Sequence, residues 1–188
     1  MDDNEILDLF FQRQENALDQ AKQKYGQRLF RTAMNILNNI QDAEECVSDT
    51  LLKAWEAIPP GRPGIFGAFL AKISRNIAIN KWKAKNTQRR GGGEMTLMLS
   101  ELEECLPSPA TNSPEAVYDS NLTSTAVNEC LNIMNQTMRV IFVRRYFYGE
   151  SIADICEHFN MSESKVKSIL HRSRKKLKIH LEKEGVTI

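Results

Sequence analysis

A row of cations and hydroxyls near the end of the chain is the feature best suited to chemistry. Residues 162–178 carry lysine, arginine, histidine and serine side chains between apolar residues at helical spacing, such as Val166, Leu170 and Leu177. A helix with this pattern buries its apolar face and turns the other side chains toward solvent. Lysine and arginine bind the phosphates of nucleic acid, and lysine and serine side chains also reach base edges in the major groove. The pattern therefore indicates DNA binding.

A second short helix is predicted directly before this one. Gly149 suits the end of the preceding helix, where a residue tolerant of positive φ is favoured. Ser151, followed by Asp154, and Ser162 are suitable N-caps for the two helices, and Asn160 suits a left-handed turn between them. This layout predicts a helix-turn-helix whose second helix lies in the major groove. A solvated basic helix of an ordinary α-protein is the alternative interpretation.

Charge is unevenly distributed along the chain, although the formal net charge is only +1. Residues 57–93 contain eight Lys/Arg and no Asp/Glu, and residues 91–138 contain seven Asp/Glu and no Lys/Arg. Residues 139–180 then carry ten basic and four acidic residues. Two basic blocks separated by an acidic one favour two nucleic-acid-facing surfaces. Chance clustering of surface charge is the alternative.

Other kinds of site are not indicated. No catalytic nucleophile–base pair is evident, and Gly91-Gly92-Gly93 lacks the Lys-Ser/Thr that follows a phosphate-binding loop. The four scattered cysteines form no metal-ligand pattern, and Cys46 and Cys156 are expected to be small core residues. We expect no cofactor and no metal. Without an apolar run long enough to span a bilayer or a signal peptide, a cytoplasmic protein with no membrane insertion is expected.

The elements that position these residues are predicted to be helices. At 188 residues, one or two domains are expected, and strand signals are weak. The fold class predicted is all-α: a helical domain over 1–92, a flexible acidic linker over 93–113 and a second helical domain over 114–188. Residues 95–105 of the linker could form a short amphipathic helix. The other predicted helices cover 6–24, 27–37, 42–58, 66–85, 114–134 and 136–148.

Four segments in this order resemble a known family. They are residues 42–50 (DAEECVSDT), Trp55, residues 75–80 (RNIAIN) and the terminal helix-turn-helix. Together they resemble a bacterial RNA polymerase sigma factor of the extracytoplasmic-function (ECF) group of the sigma-70 family, which keeps regions 2 and 4. The resemblance covers about 25–90 and 115–180. Because a helix-turn-helix alone fits many regulators, the order and spacing of the segments carry the assignment.

The resemblance implies that the acidic helix of region 2 binds core RNA polymerase, on a coiled coil of the clamp of its largest subunit. Glu45, Ser48 and Asp49 match the contacting positions. An exposed acidic row suits a basic partner helix. Acidic residues are also favoured at a helix N-terminus by its dipole, and both explanations can hold together.

The resemblance also implies that the helix over 66–85 recognises the promoter −10 sequence. Asn76 matches a position that contacts a base flipped out of the stack. Asn80 and Lys83 replace the aspartate and arginine usual in the family. Phe69 could stack on bases, but its register with Ile73 favours the core. The −10 DNA-binding residues predicted are Lys72, Arg75, Asn76, Asn80, Lys81 and Lys83.

In region 4 the resemblance implies that the second helix of the helix-turn-helix reads the −35 element. Ser164-Lys165 stands where the family often has Gly-Thr, which adds a long cation at a base-reading position. Arg174 and Lys175 are expected to contact phosphate. The −35 DNA-binding residues predicted are Ser164, Lys165, Lys167, Ser168, His171, Arg172, Arg174 and Lys175.

The function predicted is that of an ECF-type sigma factor that binds core RNA polymerase and promoter DNA and performs no catalysis. An anti-sigma factor is a possible further partner, because the family commonly has one. An acidic linker could occupy a basic channel of the polymerase, or be a plain tether. The alternative function is a standalone helix-turn-helix regulator with an N-terminal helical interaction domain. A scaffold that binds a partner through the acidic helix would leave both basic blocks unexplained.

Overall fold

The structure of this protein is a computed structural model that describes residues 1–86, 93–106 and 114–186, with the backbone alone for residues 86 and 114–122. The described residues form α-helices and no β-strand, which confirms the predicted all-α class. The chain divides into two units, Met1–Gly91 and Gly92–Ile188.

Residues 1–86, the described part of unit 1, contain four helices. They are α1 (Asp3–Phe11), α2 (Asn16–Leu37), α3 (Ile40–Ala57) and α4 (Phe66–Asn86). Helices α2, α3 and α4 pack against one another, and α1 packs on α2 and α4. The ring of Phe10 lies 5.8 Å from that of Trp55 and 5.6 Å from that of Phe66, which anchors α1 to α3 and α4 in the core. This bundle fixes the relative positions of α3 and α4, which carry the predicted region 2 residues.

The break between the first two helices differs from the sequence prediction. It falls at residues 12–15, not at 25–26, and Gly26 lies inside α2. A tertiary contact explains the position: Arg13, with φ 55°, donates to the carbonyl oxygen of Trp55 at 2.7 Å and stacks over its ring. A glycine within a helix costs only about 1 kcal/mol, which the burial of Ala21 and Leu29 on α2 offsets.

Unit 2 contains five helices in its described part. They are α5 (Glu94–Glu103), α6 (Pro114–Ile133), α7 (Gln136–Tyr146), α8 (Ile152–Phe159) and α9 (Glu163–Lys183). Helix α9 packs on α6, α7 and α8, and its buried side includes Val166, Leu170 and Leu177. The apolar spacing read from the sequence therefore identifies the buried face of α9.

The segment expected to be a flexible linker begins with a packed helix. Helix α5 lies within 93–113, near the 95–105 suggested by its amphipathic pattern. Met98, Leu102 and Cys105 are 1%, 8% and 2% exposed in the same hydrophobic cluster as Ile141 and Leu170. The acidic composition hid this burial, because the acids lie on the other faces of α5. Residues 107–113 of the expected linker lie outside the described residues.

Candidate nucleic-acid and protein interfaces

The helix-turn-helix has the end structures expected from its sequence. Ser151 and Asp154 form a reciprocal capping box at the start of α8, and the side chain of Ser162 caps α9. Asn160 is left-handed with φ 49°, and Gly149 has φ 66° before α8 begins. These local interactions fix the turn between α8 and α9, and so the direction in which α9 projects.

Seven of the eight predicted −35 residues are exposed on α9. They share the faces opposite Val166, Ile169 and Leu170, which are buried. Such an arrangement presents cations and hydroxyls together to a groove of DNA. The exposed residues are Ser164, Lys165, Lys167, Ser168, His171, Arg172 and Lys175.

Arg174 differs from the other predicted −35 residues. Its side chain is only 15% exposed, and its Nη1 lies 3.3 Å from Oε2 of Glu101 on α5. The same Nη1 donates to the hydroxyl of Tyr146, which in turn donates to Glu101 at 2.8 Å. Burial and the hydrogen bond to Glu101 raise the pKa of Tyr146, so this hydroxyl stays protonated. Arg174 therefore already has protein partners where the sequence predicted a phosphate.

A second cation, Arg145 of α7, also pairs with a carboxylate of α5. Arg145 is 1% exposed, and its Nη1 donates to Glu94 Oε1 and to the carbonyl oxygen of Glu150, both at 2.8 Å. Its Nε and Nη2 are buried without a hydrogen-bond partner. Sequence reasoning missed Arg145, Glu94 and Glu101, because an arginine on a predicted helix and acids in a predicted linker are ordinarily solvated.

The predicted −10 residues of α4 fall into two groups. Lys72, Asn76, Asn80 and Lys83 are exposed. Arg75 is half-buried, and desolvation lowers the pKa of its guanidinium. Phe69 and Trp82 are also half-buried, and Phe69 packs against the core of unit 1, as its register predicted. The exposed group therefore places charged and amide side chains together on the surface of one helix.

Lys81 is the predicted −10 residue with the most distinctive surroundings. Its Nζ lies 2.8 Å from Asp49 Oδ2 and 3.1 Å from Glu45 Oε2, and its side chain is 23% exposed. Desolvation opposes the charge of Lys81, but the two carboxylates outweigh it and raise the pKa of the ammonium group. The structure thus joins a predicted DNA contact to two predicted polymerase contacts.

The acidic row of α3 lies on the face away from the core. Glu45 and Ser48 are exposed and Asp49 is half-buried. On the inner face of the same helix, Cys46 and Val47 are buried. Cys46 is a small core residue, as predicted, and its Sγ lies 3.4 Å from the carbonyl oxygen of Ser74. Helix α3 therefore presents its acids on a rigid support.

An open groove lies beside this acidic row. Its volume is about 260 Å³, and Asp49, Leu52 and Glu56 of α3 face Ile77 and Asn80 of α4 across it. Leu52 is 55% exposed there. An apolar side chain bordered by carboxylates suits a partner helix that carries both apolar and basic residues. Sequence reasoning missed Leu52, because its helical spacing alone does not distinguish it from a core position.

One group of possible metal ligands occurs in the described part of the chain. Glu129, His180 and Glu184 bring one ligand atom each within 4.8 Å of one another. Both carboxylates are exposed, and His180 Nε2 lies 3.9 Å from Glu129 Oε2. A surface contact between a histidine and a carboxylate accounts for this arrangement.

One unit of this all-α protein carries a capped helix-turn-helix. The other carries a second cationic helix beside an acidic row. These features are typical of the class of DNA-binding proteins. Comparison with known families identifies the class more closely. Residues 22–88 match Sigma-70 region 2 and residues 124–177 match Sigma-70 region 4. The two segments together span more than half of the chain, in the order expected. The chain belongs to the sigma-70 family, as an ECF-type sigma factor.

Curated relatives agree with this assignment. The chain is 27% identical over 166 residues to the ECF RNA polymerase sigma factor SigL of Mycobacterium tuberculosis, covering 85% of each chain. It is 23% identical over 167 residues to SigW of Bacillus subtilis, covering 84% of each chain. It is also 23% identical over 167 residues to SigE of Mycolicibacterium smegmatis, covering 89% of this chain and 62% of that relative. No described helix has the length and apolar character needed to cross a bilayer.

Proposed function

We propose that this chain binds core RNA polymerase through unit 1 and directs transcription initiation by contacting two promoter elements, one with each unit. The observation that carries this proposal is the pairing, in one chain, of regions 2 and 4 with an exposed cation-bearing helix in each. The polymerase makes the RNA, and this chain contributes binding alone. It works in the cytoplasm, where the polymerase and DNA are, and an anti-sigma factor is a possible regulator.

The polymerase contact proposed is the acidic row of α3. Glu45, Ser48 and Asp49 lie on its outer face, beside the groove that contains Leu52. A basic coiled coil of the polymerase clamp would place cations against the carboxylates and an apolar side chain on Leu52. Opposite charges on exposed surfaces also accelerate docking.

The DNA contacts proposed are divided between α4 and α9. On α4, Lys72 and Lys83 suit phosphates, and Asn76 suits an unstacked base of the −10 element. On α9, Lys167 and His171 lie among the exposed residues that can reach base edges of the −35 element. Each unit is expected to contact only a few phosphates, so binding to DNA without polymerase should be weak.

The function is tested by reconstituted transcription. The purified chain is mixed with core RNA polymerase of the same bacterium and a genomic library, and start sites are sequenced. We expect specific transcripts that share −10 and −35 sequences. Tight binding of the chain alone to a palindromic duplex, with no transcript from any template, would indicate instead a standalone helix-turn-helix regulator.

The polymerase contact is tested by charge reversal. Glu45→Arg with Asp49→Arg should abolish co-purification with core polymerase, because the acidic row becomes basic. Glu15→Arg with Asp19→Arg reverses the same residue types at the same spacing at the N-terminal end of α2, where Glu15 is the N-cap and both side chains are exposed, and should leave binding unchanged. Glu45→Gln with Asp49→Asn avoids placing cations beside Lys81 and should weaken binding in the same direction. If both α3 double variants bind core polymerase as tightly as the wild type and have an unchanged circular dichroism spectrum, α3 is not the contact.

The base-reading residues are tested on the same templates. Lys167→Ala and His171→Ala should each change the −35 sequences recovered, because both side chains lie on the exposed face of α9. Lys183→Ala, at the far end of the same helix, is the control and should leave the recovered sequences unchanged. If all three variants recover the same −35 sequences as the wild type, Lys167 and His171 do not read bases.

A further inference from the structure

Helix α5 holds both helices of the helix-turn-helix with two carboxylates. Glu94 Oε1 accepts hydrogen bonds from Arg145 at 2.8 Å and from the backbone N–H of Ile152, the first residue of α8, at 3.3 Å. Further along α5, Glu101 accepts a hydrogen bond from the hydroxyl of Tyr146. Its Oε2 lies 3.3 Å from Nη1 of Arg174 on α9. Helix α5 precedes residues 124–177, the segment that matches region 4.

The position of Arg174 is the consequence that matters for DNA binding. The side chain lies on the flank of α9 that faces α5 and α7, where its guanidinium meets Glu101 and the hydroxyl of Tyr146. The adjacent Lys175 is exposed and points to solvent. Two neighbouring cations on one helix are therefore in different states: one is neutralised within the protein and one is available to phosphate.

We infer that Glu101 is a specificity-determining positioning residue of the promoter-reading unit. It holds Arg174 against Tyr146, and so withholds a cation from phosphate while it fixes the orientation of α9. Phosphate contacts add affinity for every DNA sequence, whereas base contacts discriminate between sequences. Restraining Arg174 leaves discrimination to the exposed residues of α9. The inference rests on the proposed function, since it assigns a role to α9 in reading the −35 element.

The first test asks whether Arg174 contacts phosphate. Holoenzyme is formed from core polymerase and the full chain, and its affinity is measured against salt concentration. The probes are a promoter fragment recovered in the transcription experiment and the same fragment with a scrambled −35 element. Arg174→Met should leave the slope of log affinity against log salt unchanged. The neighbouring control Lys175→Met should reduce the magnitude of the slope by about 0.9, the value for one lost phosphate contact.

The second test removes the restraint. Glu101→Gln keeps the size and an acceptor oxygen of the side chain but removes its charge. We expect the slope on the scrambled fragment to steepen by about 0.9 as Arg174 reaches phosphate, and the preference for the intact −35 element to fall. Glu103→Gln, an exposed acid on the same helix, should change neither quantity. In Glu101→Gln with Arg174→Met, the slope should return to the wild-type value, because Glu101 acts through Arg174.

Two results would overturn the inference. One is a reduced slope for Arg174→Met, which would make Arg174 a phosphate ligand in the native protein. The other is a Glu101→Gln chain that equals Glu103→Gln in slope and in −35 preference. If Glu101→Gln does not fold, Arg174→Met against Lys175→Met still decides the matter. Failure of the wild-type holoenzyme to prefer the intact −35 element would instead contradict the proposed function.

Discussion

The guanidinium of Arg145 on α7 lies 2.8 Å from the carboxylate of Glu94, 51 residues earlier in the chain and at the first position of α5. Arg145 is fully buried, whereas the Glu94 side chain is 53% exposed. A buried charge without its partner is strongly unfavourable. The contact therefore makes the start of α5 contribute to the stability of unit 2.

Removing the Glu94 carboxylate should destabilise unit 2 alone. Glu94→Ala should lower its free energy of unfolding by about 1–3 kcal/mol, less than for a fully buried pair, because Glu150 still provides a carbonyl acceptor. Both tryptophans, Trp55 and Trp82, lie in unit 1. Urea unfolding followed by circular dichroism should therefore shift while the tryptophan fluorescence transition stays in place.

The control for this experiment is Glu103→Ala, an exposed acid on the same helix, which should change stability by less than about 0.5 kcal/mol. Adding Arg145→Met to Glu94→Ala should recover part of the loss, since an apolar side chain replaces the uncompensated charge. A double variant no more stable than Glu94→Ala alone would contradict this explanation.

The apolar face of α5 gives a second prediction with a control of the same residue type. Leu102 is 8% exposed and Leu97 is 54% exposed on the same helix. Leu102→Ala should cost about 2–4 kcal/mol through lost burial and a cavity, whereas Leu97→Ala should change stability by about 0.5 kcal/mol or less. The measurement is urea unfolding followed by circular dichroism. Equal losses from the two substitutions would mean that α5 does not pack as described.

Local signals explain why so much of the helix-turn-helix could be predicted from the sequence. Ser151, Asn160 and Ser162 act on their own neighbours in the chain, so their roles are readable from spacing alone. The apolar period of α9 likewise identified its buried face. The family resemblance supplied the order of the regions, and both family models match the chain in that order.

The features that the sequence alone did not show depend on contacts between distant residues. The break between α1 and α2 is held by Arg13 against Trp55, 42 residues away. Arg174 is paired by Glu101, and Lys81 by Glu45 and Asp49, from other helices. A charged side chain in a sequence window gives no sign of such a partner. The sequence therefore predicts which residues are charged, and the tertiary structure determines which of them remain available.

The pairing of Lys81 predicts an unusual effect on polymerase binding. In the free chain Lys81 competes with basic groups of the polymerase for Asp49 and Glu45. Lys81→Met should therefore tighten polymerase binding, by up to about fivefold, because ion pairs between partly exposed side chains at a protein surface contribute about 0.2–1 kcal/mol. The measurement is the dissociation constant for core polymerase without DNA.

The matched control is Lys72→Met, an exposed lysine on the same helix and in the same predicted −10 set. It should leave polymerase affinity unchanged. Both substitutions should weaken binding of the holoenzyme to the −10 element, because each removes a cation from α4. Weaker polymerase binding by Lys81→Met would instead show that Lys81 is needed to hold the acidic row in place.

The thiol of Cys105 predicts how the stability of unit 2 depends on pH. Cys105 is 2% exposed, and burial raises the pKa of its thiol from 9.0 to about 11. Between these two values the thiol ionises in the unfolded chain but stays protonated in the folded one. The unfolded state therefore binds fewer protons, and stability present below about pH 9 is lost as the pH rises toward 11.

Unfolding free energies at pH 8 and pH 10.5 test this effect. The loss between the two should be smaller in Cys105→Ala than in the wild type, by about 2 kcal/mol, because one pKa unit corresponds to about 1.4 kcal/mol. Cys156→Ala, at the half-buried cysteine of the same unit, is the control for removing a thiol. Cys156 should also be the first thiol to react with an alkylating reagent in the folded chain, because the other three cysteines are buried. A pH dependence that Cys105→Ala leaves unchanged would show that the Cys105 thiol ionises as readily in the folded chain as in the unfolded one.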